Sequence, residues 1–319
     1  MRALVTGGAG FIGSHMVDRL LEEGYGVIAV DNLSEGTLDN LKHLEGNPRL
    51  RFVRADIRDK RAVEELMGGG VDVVFHLAAH ANIRTSQVDH YVDLEQNVIP
   101  TVHILEAMLK HHVPHLVFAS TSAVYGEATI RPTPEEYSPI QTSLYGASKL
   151  ACEAFAQAYT QLGDISVWSF RFSNVVGERA RHGVIWDFVH KLRADPTKLE
   201  ILGDGKQTKE YIYVSDCVEG ILTGYHRAKR GRVNTFNIAV DETRSVDQVA
   251  DIVIDELGLK SSEVKRVYTG GPRGWVGDNP IVVLDTSKLK ALGWSPKVGA
   301  DEAIRRTAKW TIQHLNTHT

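Results

Sequence analysis

A tyrosine and a lysine four residues apart, in Ser143-Leu144-Tyr145-Gly146-Ala147-Ser148-Lys149, are the side chains of this chain best suited to moving a proton. At the start of a helix that spacing sets both on one face. A phenol with a pKa near ~10 is a poor base at neutral pH, and a neighbouring ammonium group favours the phenolate. Further polar groups lie upstream, where the hydrophobic run Leu116-Val117-Phe118-Ala119 closes on three hydroxyls, Ser120, Thr121 and Ser122, followed by Ala123. A bare Y-x-x-x-K is common on solvated helix faces, so the chemistry depends on what else the chain binds.

The N-terminus answers that. Val5-Thr6-Gly7-Gly8-Ala9-Gly10-Phe11-Ile12-Gly13-Ser14-His15 puts Gly7, Gly10 and Gly13 directly after a strand and at the start of a helix. One glycine allows the tight turn, one lets a pyrophosphate approach the backbone, and one lets the helix pack on the strand. The amides of this turn, those of Phe11 and Ile12 among them, and the positive end of the helix then hold the phosphates. Asp31, 18 residues beyond Gly13 and followed by Asn32, ends the next strand where a carboxylate binds ribose hydroxyls. Its charge repels a 2′-phosphate, so NAD is favoured over NADP. In that setting Lys149 can reach the nicotinamide ribose, and the positive ring adds to its effect on Tyr145.

The positioning elements are legible as short apolar runs alternating with helical patterns. Strands are expected at RALVTG, GVIAVD, LRFVRAD, VDVVFHLAA, LVFAST and ISVWSFRFSNVVG, and helices over residues 12–23, 97–112 and 148–163. Nearly all-apolar strands joined by helices imply a Rossmann-type, doubly wound parallel sheet covered on both faces. After about residue 175 the regularity breaks. The expected organisation is an α/β dinucleotide-binding domain over 1–175 and a smaller interleaved α/β substrate portion over 176–319, with no Pro- or Ser-rich linker and no repeat.

Bulk properties narrow the class. The 319 residues, 43% hydrophobic and 24% charged, suffice for one large or two modest domains. A net charge of −4 without a long run of one sign argues against a nucleic-acid partner or an anionic membrane. Cys152 and Cys217 are the two cysteines, which argues against a disulfide framework and for a reducing compartment. No signal-peptide profile and no run of about 20 apolar residues is present. The expectation is a soluble, cytoplasmic protein. His111, His112 and His115 are expected to be surface histidines at a polar helix end, and no metal is assigned.

Taken together, TGGAGFIGSH, DNLSEG, FHLAA, ASTSAVYG, SLYGASK, RFSNVVG, LGDGKQTKEYIYVSD and GDNPIVVLDTSKLKALGW resemble, in order and over essentially the whole chain, an extended short-chain dehydrogenase/reductase. More narrowly they resemble the nucleotide-sugar 4-epimerases of the UDP-glucose (UDP-galactose) 4-epimerase type. The resemblance implies a catalytic set of Thr121, Tyr145 and Lys149. It implies tightly bound NAD that oxidises C4 of a UDP-sugar, lets the 4-keto sugar rotate, and returns the hydride to its other face. Relatives that eliminate water carry Asp-Glu directly after the triad hydroxyl; Ser122 and Ala123 stand there, which points to a plain epimerase. The resemblance assigns Asp56 and Ile57 to the adenine. Leu77, Ala78, Ala79, Asn97, Ser120 and Phe172 fall around the cofactor. Thr121, Ser122, Asn174, Glu200, Leu202, Lys209, Tyr211, Arg273 and Asp278 fall around the UDP-sugar, with Arg273 on phosphate and Asp278 on the uridine ribose.

There are departures from the family pattern. Lys209 replaces a common Arg, EY stands for DY, and the loop PRGWVGD is two residues longer than in better-known epimerases. Val282 replaces a bulky tyrosine of some members, which leaves room for N-acetylhexosamines or larger C6 groups. Arg84, Arg179 and Arg181 are candidates for meeting a uronate carboxylate. Alternatives are the same chemistry on UDP-glucuronate or UDP-N-acetylglucosamine, a nucleotide-sugar reductase, or a non-catalytic NAD sensor. The family also implies a homodimer built on helices near 98–112 and 146–162.

Overall fold

The computed structural model describes residues 1–82, 85–228 and 231–317. Six strands run in parallel register: β1 (Arg2–Thr6), β2 (Gly26–Asp31), β3 (Leu50–Arg54), β4 (Val73–His76), β5 (His115–Thr121) and β6 (Ser166–Phe172). The chain then leaves for β7 (Asn174–Val176), β8 (Lys198–Ile201) and β9 (Thr208–Tyr213). It returns to the sheet edge as β10 (Val233–Ile238), then adds β11 (Thr243–Ser245) and β12 (Lys265–Tyr268) elsewhere. The large sheet has the order β10-β6-β5-β4-β1-β2-β3; β11-β9-β7 and β12-β8 form two small ones. The fold is the expected doubly wound α/β type, and β10 is what interleaves the later residues with the earlier ones.

The helices are α1 (Phe11–Glu22), α2 (Lys60–Met67), α3 (Ile99–His111), α4 (Leu144–Tyr159), α5 (Val184–Ala194), α6 (Val214–Arg227), α7 (Val246–Glu256), α8 (Ser287–Lys290) and α9 (Ala300–Thr317). On one face of the sheet Met16, Val17 and Leu20 of α1 meet Ile221 and Leu222 of α6. On the other, Val63 and Met67 of α2 join Ile104, Leu105 and Met108 of α3 and Cys152 and Ala156 of α4. Each of these Val, Leu, Ile and Met side chains, fully buried, contributes about 1.5–3 kcal/mol. A third core joins α5, α7 and α9 around Phe188, Val249, Val253 and Ile304.

Three expectations need correction. The run ISVWSFRFSNVVG is two strands, because the chain changes sheets at Ser173, whose N–H donates to Ile238 O at 3.0 Å; β6 stays in the large sheet and β7 pairs with β9. The helix expected from residue 97 begins as a π-wound turn, Leu94–Val98, ahead of α3. His115 is not a surface histidine of the helix end. It opens β5, is partly buried, shares a 2.9 Å hydrogen bond with the Tyr225 hydroxyl and packs edge-on to Trp168. Both cysteines are free and buried. Among the described residues no helix is long and apolar enough to cross a membrane.

Candidate active site

The glycine turn is shaped by close approach. Gly7 has φ +67°, and a Cβ there would come 2.9 Å from the backbone of Ala78. A Cβ on Gly13 would collide with the Gly7 carbonyl. Leu77-Ala78-Ala79 therefore lie against the turn, with Ala78 N donating to Thr6 Oγ1 at 3.1 Å. Gly10 caps α1 without a side-chain hydrogen bond. This leaves the first-turn amides of Phe11, Ile12 and Gly13 for an anion. Asp31 ends β2 nearly buried; its carboxylate accepts from Ala9 N at 3.1 Å and Leu33 N at 2.8 Å. Asn32 Nδ2 donates to Asp56 at 3.2 Å, and Arg58 beside it holds the Asp56 carboxyl down to about 2. Ile57 follows, its carbonyl 3.3 Å from His103 Nδ1. A bare-backbone cradle ending in an anion-ready helix, with an acidic strand end beyond it, fits a dinucleotide without a 2′-phosphate.

The candidate catalytic set forms where β5 and α4 meet. Thr121, the last residue of β5 and level with Phe172 of β6, caps the turn Ser122–Tyr125 by accepting Ala123 N at 3.1 Å. Ser143 caps α4, accepting Gly146 N at 3.1 Å. A Cβ at Gly146 would lie 2.5 Å from Ala123 O, so the first turn of α4 rests directly on the Thr121 turn. This brings the Tyr145 phenol within hydrogen-bonding reach of Thr121.

The protein's own groups do not lower the Tyr145 pKa as the sequence suggested. Burial pushes it up to about 12, opposed by the bond to Thr121 and reinforced by the charge of Asp93. Lys149 is turned away: its Nζ donates to Ala119 O at 2.7 Å and sits 4.6 Å from the Phe118 ring centroid, and burial brings it down to about 8. Asn97, within the π turn, brackets His80, accepting its N–H at 2.8 Å and donating to its carbonyl at 3.1 Å.

Beneath this set lies a buried ion pair not anticipated from sequence. Glu153 of α4 takes both arms of Arg171 of β6, at 3.0 and 2.7 Å, and the hydroxyl of Ser120. Arg171 also reaches the Tyr125 hydroxyl at 2.9 Å, which donates to Asn237 of β10 at 2.7 Å. Two signals were available: Glu153 continues the Tyr145, Lys149 spacing by one more turn, and Arg171 is the lone charge of an otherwise buried strand.

The remaining assigned residues gather around the small sheets. Asn174 Nδ2 donates to Glu210 O at 3.2 Å. Tyr211 is buried and its phenol strongly raised by that burial. Lys209 pairs with Asp278, whose second oxygen accepts Gly274 N at 3.0 Å, and lies 5.3 Å from the Trp275 ring centroid. Leu202 is held by Gln207, while the Glu200 side chain faces solvent beside Lys191. Arg273 donates to Asp278 O at 3.4 Å and pairs with Glu127, a residue the sequence gave no reason to single out. Arg179 is paired with Asp18 at 2.8 Å and Arg181 faces Asp39 at 3.9 Å, both on the β1–β2 side of the fold. Arg84 lies outside the described residues.

A doubly wound sheet, a glycine turn with an acidic strand end, and a Thr–Tyr–Lys set on β5 and α4 define a dinucleotide-dependent enzyme of the short-chain dehydrogenase kind. The model of the NAD dependent epimerase/dehydratase family matches residues 3–239. The chain is 38% identical over 319 residues, 98% of its length and 99% of the other's, to a putative UDP-glucose 4-epimerase of Methanocaldococcus jannaschii. Its fold matches the structure of UDP-glucose 4-epimerase with UDP-glucose from Thermotoga maritima, with a TM-score of 0.88, 34% identity, and 99% and 100% of the two chains covered. It also matches UDP-glucuronic acid 4-epimerase from Bacillus cereus with UDP-glucuronic acid and NAD, at a TM-score of 0.90, 29% identity, and 98% and 100% coverage. The chain belongs to the NAD dependent epimerase/dehydratase family, and NAD is its cofactor.

Proposed function

We propose that this chain is a UDP-sugar 4-epimerase acting on UDP-glucose and UDP-galactose. The observation that carries the reading is the turn after Thr121. It presents Ser122 and Ala123 beside Tyr145, so the reacting sugar meets a hydroxyl and a phenol but no side-chain acid and base for eliminating water.

In this reading NAD, when bound, would supply a reversible hydride acceptor for C4 of the sugar. Tyr145 accepts the 4-hydroxyl proton as the C4 hydrogen leaves and returns it when the sugar has turned over. Thr121 holds O4 through its hydroxyl. Gly7, Gly10 and Gly13 with Asp31 grip the cofactor. Asn174, Leu202, Lys209, Arg273 and Asp278 grip the nucleotide end, and the sugar stays free to rotate. Residues 1–175 serve the cofactor and 176–319 mainly the UDP-sugar. A second reading, the same chemistry on UDP-N-acetylglucosamine or UDP-glucuronate, draws support from Val282, which packs as a small side chain against the cluster of Val124, Tyr125 and Leu284. A homodimer is supported by apolar side chains left exposed at the start of α3 and along and just beyond α4: Leu94 at 46%, Ile99 at 40%, Phe155 at 43% and Leu162 at 68%.

The test is to incubate the purified protein with each of the three UDP-sugars and catalytic NAD and to resolve C4 epimers by NMR. Conversion of UDP-glucose to UDP-galactose without net NADH is expected, reduced by about 10²–10⁴-fold in Tyr145→Phe. In a parallel reaction supplied with NADH, its stoichiometric consumption would point to a reductase instead, and no epimer from any of the three would end the reading.

A further inference from the structure

A phenol that must both take and return a proton works best when balanced near the working pH. The groups that act on Tyr145 are Thr121 from β5, Cys152 from α4, and Asp93 from the segment ahead of α3. Lys149 lies one helical turn further on. Behind it are His76 of β4 and Glu153, the latter bound to Arg171.

Asp93 stands apart in this set. It is 2% exposed, and its carboxylate takes three hydrogen bonds: His80 Nδ1 at 2.9 Å, Ser86 Oγ at 2.6 Å and Asn97 Nδ2 at 3.4 Å. An acceptor-only group surrounded by donors has the surroundings of an anion. Its position is fixed relative to the backbone of Tyr145, since Asn97 Nδ2 also reaches Ser148 Oγ at 3.0 Å and Ser148 Oγ donates to the main-chain carbonyl of Tyr145 at 2.8 Å. A charge held in a water-poor interior is weakly screened, and the field of Asp93 favours the protonated forms of both Tyr145 and Lys149.

We propose that Asp93 is a positioning residue for the proton transfer: a fixed negative charge, held by His80, Ser86 and Asn97, that faces the first turn of α4 and sets the pH range in which the Tyr145 phenol releases and recovers a proton. The use made of that proton rests on the epimerase reading; the charge and its target are features of the fold. Without that charge the Tyr145 phenolate would be easier to form, leaving the residue a better base but a poorer acid for the return of the proton.

The experiment uses the NAD-loaded protein and the ultraviolet absorbance of phenolate, taken as the difference between wild type and Tyr145→Phe, titrated against pH. Asp93→Asn is expected to move the midpoint down by about one pH unit, and Asp93→Glu, which keeps the charge, to leave it in place. If Asp93→Asn does not fold, Asp93→Ser supplies the neutral variant. A midpoint that stays or rises in the neutral variant overturns the proposal, as does a shift in Asp93→Glu equal to that in Asp93→Asn. In epimerisation assays the ascending limb of kcat against pH should move down with the midpoint while KM holds. If no UDP-sugar is turned over, the functional reading falls while the absorbance titration still decides the role of Asp93.

Discussion

The floor of the site and its rim hold charge in opposite ways. On the floor, Glu153 is 1% and Arg171 7% exposed, and their hydrogen-bonding groups are spent on each other, Ser120, Tyr125 and the Glu135 carbonyl. On the rim, Arg273 and Glu127 pair with 40% of each side chain in solvent. A buried pair cannot change partners without an uncompensated charge in the interior. An exposed pair is bound by little and can exchange partners. The floor fixes Thr121, Tyr145 and Lys149 relative to one another; the rim pair can open and exchange partners.

The largest effect should come from breaking the floor. Arg171→Met leaves Glu153 charged and alone and is expected to lower the unfolding free energy by about 3–5 kcal/mol. A calorimeter should read this as a drop in Tm of roughly 10 °C. Replacing both partners, Glu153→Leu with Arg171→Met, should recover most of that stability, because matched apolar side chains avoid the desolvation cost. Recovered stability with lost activity would separate the pair's service to the catalytic set from its service to the fold. A double variant as unstable as the single would sink the comparison.

A carboxylate between floor and rim gives a smaller, pH-dependent effect. Glu210 of β9 is 1% exposed and, among the described residues, its carboxyl accepts the Leu284 amide at 3.2 Å, where Glu153 has a full guanidinium. Burial pushes its pKa up to about 8, the Leu284 bond opposing. The folded state therefore keeps a proton that the unfolded chain gives up near ~4.3. Its contribution is complete below that value and is lost as pH rises toward about 8. Wild type should lose up to about 5 kcal/mol across that window relative to Glu210→Gln, read as urea midpoints at matched pH. Parallel curves for the two proteins would show that Glu210 is ionised in the fold.

How much of this was legible in the sequence follows from the same distinction between local and long-range arrangements. The glycine turn, Asp31, the Tyr145–Lys149 pair and five of the first six strands were legible because each depends on spacing within one or two elements. The break at Ser173 was hidden because both sides of it are apolar; what divides β6 from β7 is the N–H of Ser173 bonding Ile238, 65 residues on. The direction of Lys149 and the raised phenol of Tyr145 were hidden because they depend on burial and on Asp93, a residue on another element. Glu127 was hidden because nothing in its own neighbourhood implies Arg273, which reaches it from a loop almost 150 residues away.

That last pair carries the smallest prediction and bears most directly on the rim. If a sugar-nucleotide diphosphate is the anion admitted there, it must take Arg273 from Glu127, and the pair's modest worth is subtracted from binding. Glu127→Gln removes the competitor and leaves the guanidinium in place. KM for the UDP-sugar should fall by about two- to fivefold, the equivalent of up to about 1 kcal/mol, with kcat unchanged and the advantage shrinking as salt is added. Arg273→Ala should raise KM instead. Were both variants to leave KM untouched, the rim pair would stand outside the ligand's path. The grip on the nucleotide end would then fall to Lys209, and Asp278, which orients Lys209 from a nearly buried position, would belong functionally to the floor.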